Sequence, residues 1–294
     1  MKKRKIANPK SQIRNRFSVA FQGEHGAFSE HAALNYFSKK ISTFPFRSFD
    51  EVFKSVQTET TKYGIIPIEN SLGGSIHQNY DLLERYNLKI VGEIKIRVVH
   101  SLIVHKGTSL KNIRFIYSHP QALAQCELFL KKMKNVEAVA VYDTAGAAKF
   151  IKEENRHDAA AIANAEAATL YGLSVLKRGI ESNHHNYTRF LILSRKIETV
   201  TTLAKTSIVF SMKDIPGALF KALSVFALRD INLHKIESRP IMGKPWEYLF
   251  YIDFEGNVND SHCKNALRHL SEITHHLKIL GCYPEGKTMN GTNA

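Results

Sequence analysis

The sequence predicts an α/β protein built from an open-sheet region and a smaller ferredoxin-like domain. Between residues 17 and 194, short apolar stretches alternate with helical stretches about seven times, which favours mostly parallel strands with helices packed on the sheets. Residues 206–284 follow the order β-α-β-β-α-β that is typical of a ferredoxin-like fold. A chain of 294 residues with 44% hydrophobic residues has enough apolar material for about two such domains.

The first elements follow from short periodic patterns. Phe17–Gln22 is an apolar run that ends at a glycine, which predicts a strand entering a turn. Ala27–Phe37 has apolar residues at helical spacing, and Ser48 or Asp50 caps a helix that continues to Gln57. The same criteria predict strands at Ile41–Phe46, Tyr63–Ile66, Leu88–Lys106 (one or two strands), Ile113–Tyr117, Val136–Val141 and Ala159–Ala163, and helices at Ile76–Tyr86, Pro120–Phe129, Ala145–Glu154 and Ala165–Tyr171.

Polar residues gather where three of the predicted strands begin or end. In open α/β sheets ligands bind at the carboxyl ends of strands, so these residues are candidates for a binding site. Each cluster alone is also consistent with an ordinary strand–turn–helix connection, and spacing does not decide between the two interpretations. The clusters are Glu69, Asn70 and Ser71; Ser118, Gln121 and Gln125; and Thr188, Arg189 and Phe190, which precede a strand that ends at Ser194.

The adjacent pair Thr188–Arg189 carries the clearest chemistry. A guanidinium binds a carboxylate through two parallel hydrogen bonds, and a neighbouring hydroxyl can donate a hydrogen bond to a departing oxygen. Upstream, the turn at Gly23–Gly26 leads into a helix whose free backbone N–H groups, near Ser29, are suited to bind an anion. This turn lacks the third glycine of a dinucleotide-binding fingerprint, so no nucleotide cofactor is predicted.

The charge distribution argues against a nucleic-acid partner. The net charge is +14, but residues 1–16 contain seven Lys or Arg and no acidic residue, so this predicted disordered basic tail carries half of the total. The remaining charge suits an enzyme that acts on anionic small molecules. The chain also shows no helix-turn-helix, RNA-binding or zinc-finger pattern.

Metal, disulfide and membrane interpretations are excluded on similar grounds. Cys126, Cys263 and Cys282 are odd in number and far apart, which predicts reduced thiols. His184 and His185 are adjacent and have no third ligand nearby in sequence, so no metal site is predicted. No apolar run approaches the roughly 18–20 residues that span a bilayer, and the N-terminus lacks the apolar centre of a signal peptide. We therefore expect a soluble, cytoplasmic protein without a membrane partner.

A change in composition marks the boundary between the two predicted domains. Residues 195–205 are rich in Thr and Lys and lack a core pattern, so a linker is predicted at 196–205. Residues 285–294 are predicted to form a tail after the second domain. Between them, alternation and helical spacing predict strands at Ile208–Met212, Ile231–Ile236, Tyr248–Phe254 and Leu277–Gly281, and helices from Pro216 to Ala227 and from Ala266 to Ile273.

Five motifs in a fixed order identify a resemblance. Pro67–Ser71, Ser118–Gln121 and Thr188–Phe190 resemble the prephenate dehydratase family, which includes the arogenate dehydratases. Asp214–Leu219 and Ile236–Pro240 resemble the two signatures of an ACT regulatory domain, with Phe220 as a departure at an apolar position. The resemblance covers about residues 17–284.

The resemblance implies a catalytic region over residues 17–195 with two α/β lobes, similar to type II periplasmic binding proteins, and an ACT domain over residues 206–284. The implied site lies in the cleft between the lobes. There, prephenate loses its ring carboxylate as CO2 and its ring hydroxyl as water, giving phenylpyruvate in L-phenylalanine biosynthesis. Aromatisation drives this reaction, so no metal or redox cofactor is expected. Residues 70–83 and 143–148 look closest to plant arogenate dehydratases, so arogenate, which gives phenylalanine directly, stays open as the substrate.

The resemblance also implies roles for the residues of the polar clusters. Thr188 is expected to donate a hydrogen bond or proton to the leaving hydroxyl, and Arg189 to anchor a carboxylate. Because threonine is a weak acid, Glu69 stays open as the alternative acid. Direct hydrogen bonds to the substrate are expected from Asn70, Ser118 and Gln125. Further substrate contacts are expected from Ser29, Ser71, Gln121 and Phe190.

An ACT domain in this family binds L-phenylalanine, so an effector site is implied as well. Gly217 lets the backbone approach a ligand at a helix start, where N–H groups hold a carboxylate. The implied set is Gly217, Ala218, Leu219, Asn232, Leu233, Glu237, Ser238, Arg239 and Pro240. We expect this site at a dimer interface of a homodimer or homotetramer. The alternative, a non-catalytic two-lobed solute-binding protein, should carry an export signal and lack the Thr188–Arg189 pair.

Overall fold

A computed structural model describes residues 17–38, 41–200 and 203–289 of the chain. The strands are β1 Phe17–Gln22, β2 Ile41–Phe46, β3 Tyr63–Asn70, β4 Gly74–Ser75, β5 Lys89–Arg97, β6 Ser101–Val104, β7 Phe115–Ser118, β8 Glu137–Ala140, β9 Ala159–Ala163, β10 Ser174–Arg178, β11 Tyr187–Ser194, β12 Ala204–Ser211, β13 Leu233–Pro240, β14 Tyr248–Glu255, β15 His276–Pro284 and β16 Thr288–Met289. The α-helices are α1 Phe28–Tyr36, α2 Phe49–Gln57, α3 His77–Arg85, α4 Pro120–Gln125, α5 Glu127–Leu130, α6 Thr144–Glu153, α7 Ala165–Leu170, α8 Ala218–Ala227 and α9 Ser261–Ile273.

The first lobe is a mixed sheet with the strand order β16-β5-β11-β3-β1-β2, and β4 pairs with β3. Strand β1 is parallel to β2 and β3, whereas β11 runs antiparallel between β3 and β5. Helix α2 shows how the sequence sets an element in this lobe. Ser48 and Glu51 form a reciprocal capping box at its start, and Val52, Phe53 and Val56 then point into the core.

The second lobe is a smaller sheet with the order β10-β6-β9-β7-β8. Every residue of β9 is buried, and its alanines allow α6 to pack closely through Ala145, Ala147 and Ala148. The chain crosses between the lobes twice, between β5 and β6 and again between β10 and β11. The two crossings leave a cleft between the sheets.

The third sheet, in the order β13-β14-β12-β15, has the β-α-β-β-α-β topology of the predicted ferredoxin-like domain. Helices α8 and α9 cover one of its faces and enclose a separate core. From the other face, Val209, Tyr251 and Tyr283 join the apolar core of the first lobe. The Tyr251 hydroxyl also donates to the Tyr80 carbonyl at 2.9 Å. The ferredoxin-like domain is thus packed against the first lobe.

Several element predictions need correction. Parallel strands do not dominate, because β11 returns from the second lobe and has to enter the first sheet antiparallel to β3 and β5. Leu88–Lys106 forms two strands, β5 and β6, which belong to different lobes. The helix predicted from Pro120 to Phe129 is interrupted at Cys126, which separates α4 from α5.

The domain ends also differ from the predicted limits. Lys205, placed in the linker by the sequence, is buried in β12, which begins at Ala204. Thr288–Met289, placed in the tail, forms β16 and pairs in parallel with β5. The predicted basic tail, residues 1–16, lies outside the described residues. In the described part of the chain, none of the helices combines the length and apolar character needed to cross a membrane.

Candidate active site

A cavity of about 460 Å³ lies in the cleft between the two lobes. Its volume is in the range of small-molecule sites. Both lobes and one crossing segment form its walls, so the site exists only when the lobes are assembled. The walls include Ser29, Asn70, Thr188 and Phe190 from the first lobe, Gln121 and Gln125 from the second lobe, and His100 from the crossing segment.

Five helices begin at this cavity. Its lining includes first-turn or capping residues of α1, α2, α3, α4 and α6, namely Ser29, Ser48, Gln78, Gln121 and Thr144. Helix N-termini carry partial positive charge and unpaired N–H groups, so their convergence favours an anionic ligand. Side chains cap α2, α4 and α6, whereas α1 and α3 have no side-chain cap. Among the described residues that line the cavity, Arg47 is the only Lys or Arg.

Thr188 and Phe190 line the cavity, and Arg189 does not. Successive side chains of a strand point to opposite faces of the sheet, so residues 188 and 190 share one face of β11 and residue 189 takes the other. Thr188 is 8% exposed and Phe190 is 2% exposed. The predicted positions of Thr188 and Phe190 are therefore compatible with substrate contact.

The Asn70 carboxamide is held in one orientation beside Thr188. Its Oδ1 accepts hydrogen bonds from the backbone N–H groups of Leu72 (3.1 Å) and Gly73 (2.7 Å). Its Nδ2 therefore faces Thr188 and donates to Oγ1 at 3.0 Å. Among the described residues, no other group forms a hydrogen bond with Thr188 Oγ1. Because Oγ1 is the acceptor from Asn70, the hydroxyl proton of Thr188 is free to point into the cavity.

Gln125 also stands where the sequence predicted a substrate contact, and it is fixed by its neighbours. Its Oε1 accepts from Asn186 Nδ2 at 2.9 Å and interacts with His100 Nε2 at 2.8 Å. Burial lowers the pKa of His100, although Gln125 and Glu181 oppose this effect. His100 is therefore neutral, and Nε2 carries its proton because the partner oxygen on Gln125 accepts.

Arg189, predicted to anchor a substrate carboxylate, instead forms a buried ion cluster between the first lobe and the ferredoxin-like domain. Its Nε donates to Glu93 at 2.6 Å, its Nη1 to Asp253 at 2.6 Å, and its Nη2 to the Tyr283 hydroxyl at 3.1 Å. Lys205 Nζ donates to the second oxygen of Glu93 at 2.7 Å. All three guanidinium nitrogens bind protein groups on the sheet face that faces away from the cleft, so the predicted role is wrong in this structure.

Because of this cluster, the free energy of unfolding should change with pH in the acidic range. Burial alone would raise the pKa of Glu93, but Arg189 and Lys205 outweigh it and lower this pKa from 4.5 to about 2. A depressed folded pKa stabilises the protein above the unfolded value, and this contribution is lost as pH falls from about 4.5 towards 2. We expect the free energy of unfolding in urea to fall across this range and to fall less steeply in Glu93→Gln. Equal slopes for both proteins would contradict this prediction.

Three other predicted site residues do not line the cavity. Glu69 points away from the cleft and pairs with Lys235 of the ferredoxin-like domain at 3.0 Å, so it is not placed to act as the acid. Ser71 is exposed and its hydroxyl donates to the His185 carbonyl. Ser118 is fully buried, and its hydroxyl donates to the Ile162 carbonyl at 2.6 Å. The last two side chains stabilise loops and strands around the site.

Ser29 and Gln121 line the cavity as predicted, and the structure adds residues that the sequence analysis missed. Arg47 and Ser48 precede α2, and His100 lies in the crossing segment. Asp143, whose side chain caps α6, also lines the cavity. Burial raises the pKa of Asp143, and backbone N–H groups, including that of Glu24, oppose this effect. The one sequence feature that could have pointed to Arg47 is its position as a basic residue directly before a helix cap.

The residues predicted to bind phenylalanine are not gathered in one cavity of the single chain. Glu237 interacts with Ser75 and His77, and Arg239 forms a bidentate contact with Asp81, so both side chains face the first lobe. Asn232 and Leu233 lie at the opposite end of β13 from Pro240. Ala218 lines a small cavity at the start of α8, whereas Asn232 lines a different one. In one chain, the predicted effector set is therefore incomplete.

In the ferredoxin-like domain, one set of side chains lies close enough together to be considered as a metal site. Asp260, His262 and Cys263 offer ligand atoms within 4.8 Å of one another. Burial raises the pKa of the Cys263 thiol to about 11, which disfavours the thiolate that binds metals. The side chain of Asp260 also accepts from the Asn257 backbone N–H. These contacts do not favour a metal at this position.

Comparison with protein families gives two matches along the chain. Residues 19–198 match the model of the prephenate dehydratase family. Residues 206–270 match the model of the ACT domain. The first match contains every residue of the cleft described above, and the second begins within β12.

Known proteins show the same relationship. The chain is 49% identical over 286 residues to arogenate dehydratase/prephenate dehydratase 2, chloroplastic, of Arabidopsis thaliana, a match that covers 94% of this chain and 74% of that protein. A prephenate dehydratase from Arthrobacter aurescens, solved in complex with L-Phe, superposes with a TM-score of 0.84 at 31% identity, covering 90% of this chain and 89% of that one. A structure described as a novel type of quorum quenching acylase gives a TM-score of 0.83 at 34% identity, covering 91% and 98%.

Proposed function

The chain belongs to the prephenate dehydratase family, and from this premise we propose that it converts prephenate to phenylpyruvate, with arogenate as the alternative substrate. The observation that carries the assignment of the site is the hydroxyl of Thr188. Its oxygen accepts from Asn70 at 3.0 Å, which leaves its proton free to point into the cleft. A cleft bordered by helix N-termini supplies the matching environment for a substrate with two carboxylates.

The reaction needs positioning more than strong acid chemistry. The bond from the ring to its carboxylate breaks, and the electron pair moves into the ring and expels the hydroxyl at the opposite position. One proton joins that hydroxyl, so CO2, water and phenylpyruvate leave. A hydrogen bond from Thr188 to the departing oxygen stabilises negative charge that develops only in the transition state. Phe190, on the same strand face, forms part of the apolar wall that excludes water.

One direct experiment distinguishes between the two candidate substrates. Purified protein is given prephenate or arogenate in separate reactions, and the formation of phenylpyruvate or phenylalanine is followed over time. We expect turnover of prephenate, and turnover of arogenate if the alternative holds. Absence of product from both substrates, with the protein folded by circular dichroism, would overturn the proposal.

Arg47 is proposed to hold one of the substrate carboxylates in place of Arg189. It is an exposed cation in the cavity wall next to the start of α2. Because this contact is made in the ground state and the transition state alike, Arg47→Gln should raise KM about tenfold with little change in kcat. Arg85→Gln is the matched control, since Arg85 is an exposed arginine of the same lobe that pairs with Asp50. An unchanged KM in Arg47→Gln would exclude this role.

Regulation by L-phenylalanine is proposed for the ACT domain, supported by the related structure that holds L-Phe. Gly217 has φ of +77° at the start of α8, a conformation in which other residues are strained. Gly217→Val should therefore weaken inhibition by about fivefold or more, the lower end of typical coupling, and leave uninhibited turnover within about twofold.

Gly243→Ala provides the control for Gly217→Val, because Gly243 also has positive φ (80°) and open space around it in the same domain. Both variants are assayed for turnover across a phenylalanine titration. If the two variants respond to phenylalanine alike, strain in the domain and not the start of α8 accounts for the effect.

The homodimer or homotetramer is proposed from the free edge of β13. This strand is at the end of its sheet, and Ile236 within it and Trp246 in the loop that follows it are 45% and 78% exposed. Exposed apolar side chains beside a free strand edge favour association. Light scattering of the purified protein tests this, and a monomer at micromolar concentration would contradict it.

We propose a cytoplasmic location for this chain, whereas the Arabidopsis relative is named as a chloroplastic enzyme.

A further inference from the structure

We propose that Asn186, which lies behind the cavity wall, is a positioning residue that directs the Thr188 hydroxyl proton towards the substrate through a ring of three carboxamides. The ring joins Asn70, Gln125 and Asn186. Gln125 Nε2 donates to Asn70 Oδ1 at 3.3 Å, Asn70 Nδ2 donates to Asn186 Oδ1 at 2.7 Å, and Asn186 Nδ2 donates to Gln125 Oε1 at 2.9 Å. Within the ring, each carboxamide donates one hydrogen bond to the next and accepts one from the one before. All three bonds therefore run in one direction, which we call the sense of the ring.

The backbone fixes the sense of this ring. Asn70 Oδ1 accepts from the N–H groups of Leu72 and Gly73, and Asn70 Nδ2 also donates to the Tyr187 carbonyl at 3.1 Å. Backbone groups cannot exchange donor and acceptor roles, so Asn70 cannot flip. Asn186 must then present its oxygen to Asn70 and its amide protons to Gln125.

His100 closes the ring from the other side. Its Nε2–H donates to Gln125 Oε1 at 2.8 Å. Its Nδ1 is buried without a hydrogen-bond partner among the residues that the structure describes. A second proton on Nδ1 would have no acceptor there, so His100 stays in the Nε2–H form. The imidazole therefore reinforces the same sense of the ring.

The sense of the ring decides what Thr188 can do. Asn70 Nδ2 has two protons and faces three oxygens, those of Asn186, Tyr187 and Thr188, so one proton is shared. The hydrogen bond to Asn186 Oδ1, at 2.7 Å, is the shortest and holds the amide plane that aims the other proton at Thr188. The backbone contacts of Asn70 already exclude the reversed ring, in which Thr188 would donate to Asn70 Oδ1 and have no proton for the substrate. What Asn186 adds is the angle of the Asn70 amide plane, and with it the alignment of the second amide proton on Thr188 Oγ1. Asn186, fully buried and outside the cavity lining, thus acts through Asn70.

A double-mutant cycle tests this inference, which rests on the proposed function. In the wild-type background, Asn186→Ala should lower kcat about tenfold, the value of one neutral hydrogen bond, with KM within about twofold. In a Thr188→Val background, the same change should have no further effect, because its target is already gone. An equal loss in both backgrounds, or a change in KM alone, would overturn the inference. An inactive wild type would instead overturn the proposed function.

Three further variants keep the test decisive if Asn186→Ala folds poorly. Asn79→Ala removes another fully buried asparagine, whose amide donates to the Pro67 carbonyl, and should lower the melting temperature without lowering kcat. His100→Gln retains an N–H donor near Nε2, whereas His100→Phe does not. We expect His100→Gln to keep kcat within about threefold and His100→Phe to lose about tenfold. Similar kcat values for the two His100 variants would contradict the role of the ring.

Discussion

Replacing Thr188 with valine should lower kcat by about 100-fold or more, the usual scale for one positioned donor, with KM changed only slightly. Valine keeps the branched shape that packs in β11 and removes only the hydroxyl. Asn70 loses one of its three acceptors but keeps Asn186 and the Tyr187 carbonyl, so little stability should be lost. Initial rates with each substrate and thermal melts of the same samples provide the measurement.

Thr206→Val is the matched control for this experiment. Thr206 is a fully buried threonine in β12, and its hydroxyl donates to the Gly256 carbonyl at 2.8 Å. This variant should lower the melting temperature by a few degrees and leave kcat near the wild-type value. A Thr188→Val enzyme with near wild-type kcat would show that the departing hydroxyl receives its hydrogen bond from another group.

The sequence located the cleft through strand ends and motifs, because both depend on local patterns. Asn70 ends β3, and Thr188 lies at the start of the antiparallel strand β11, so both stand at one edge of the sheet, where the α/β rule places ligand-binding residues. Gln125 lies at the end of the helix that follows β7. His100 carries no such signal, and Arg47 offers only its position after β2 and directly before a helix cap. They reach the cavity because two lobes close on each other, which is a consequence of tertiary packing that residue spacing does not encode.

Arg189 shows how a motif misleads when its residues are assigned to one site together. Thr188 and Arg189 are neighbours in sequence, but strand alternation sends them to opposite faces of β11. The partners of Arg189, Glu93 and Asp253, are 96 and 64 residues away along the chain. No local pattern links these positions. The motif thus combines a cleft residue with a residue that joins two domains.

Replacing Arg189 should therefore destabilise the protein more than it weakens substrate binding. Arg189→Met leaves Asp253, whose side chain is 13% exposed, without its cationic partner and removes one of the two cations beside the buried Glu93. Loss of one partner from a buried ion pair costs about 3–5 kcal/mol. We expect a loss of about this size in urea unfolding, with KM within about threefold for the fraction that remains folded.

Arg195→Met is the comparison for this measurement, since Arg195 forms an exposed ion pair with Glu59 and should change the unfolding free energy by less than about 1 kcal/mol. A second change separates a buried unpaired charge from lost packing. In Arg189→Met/Asp253→Asn the unpaired carboxylate is gone, so the double variant should be less destabilised than the sum of the single variants. If Arg189→Met instead raises KM at least tenfold at unchanged stability, Arg189 does hold the substrate and the ion cluster forms in a different state of the enzyme.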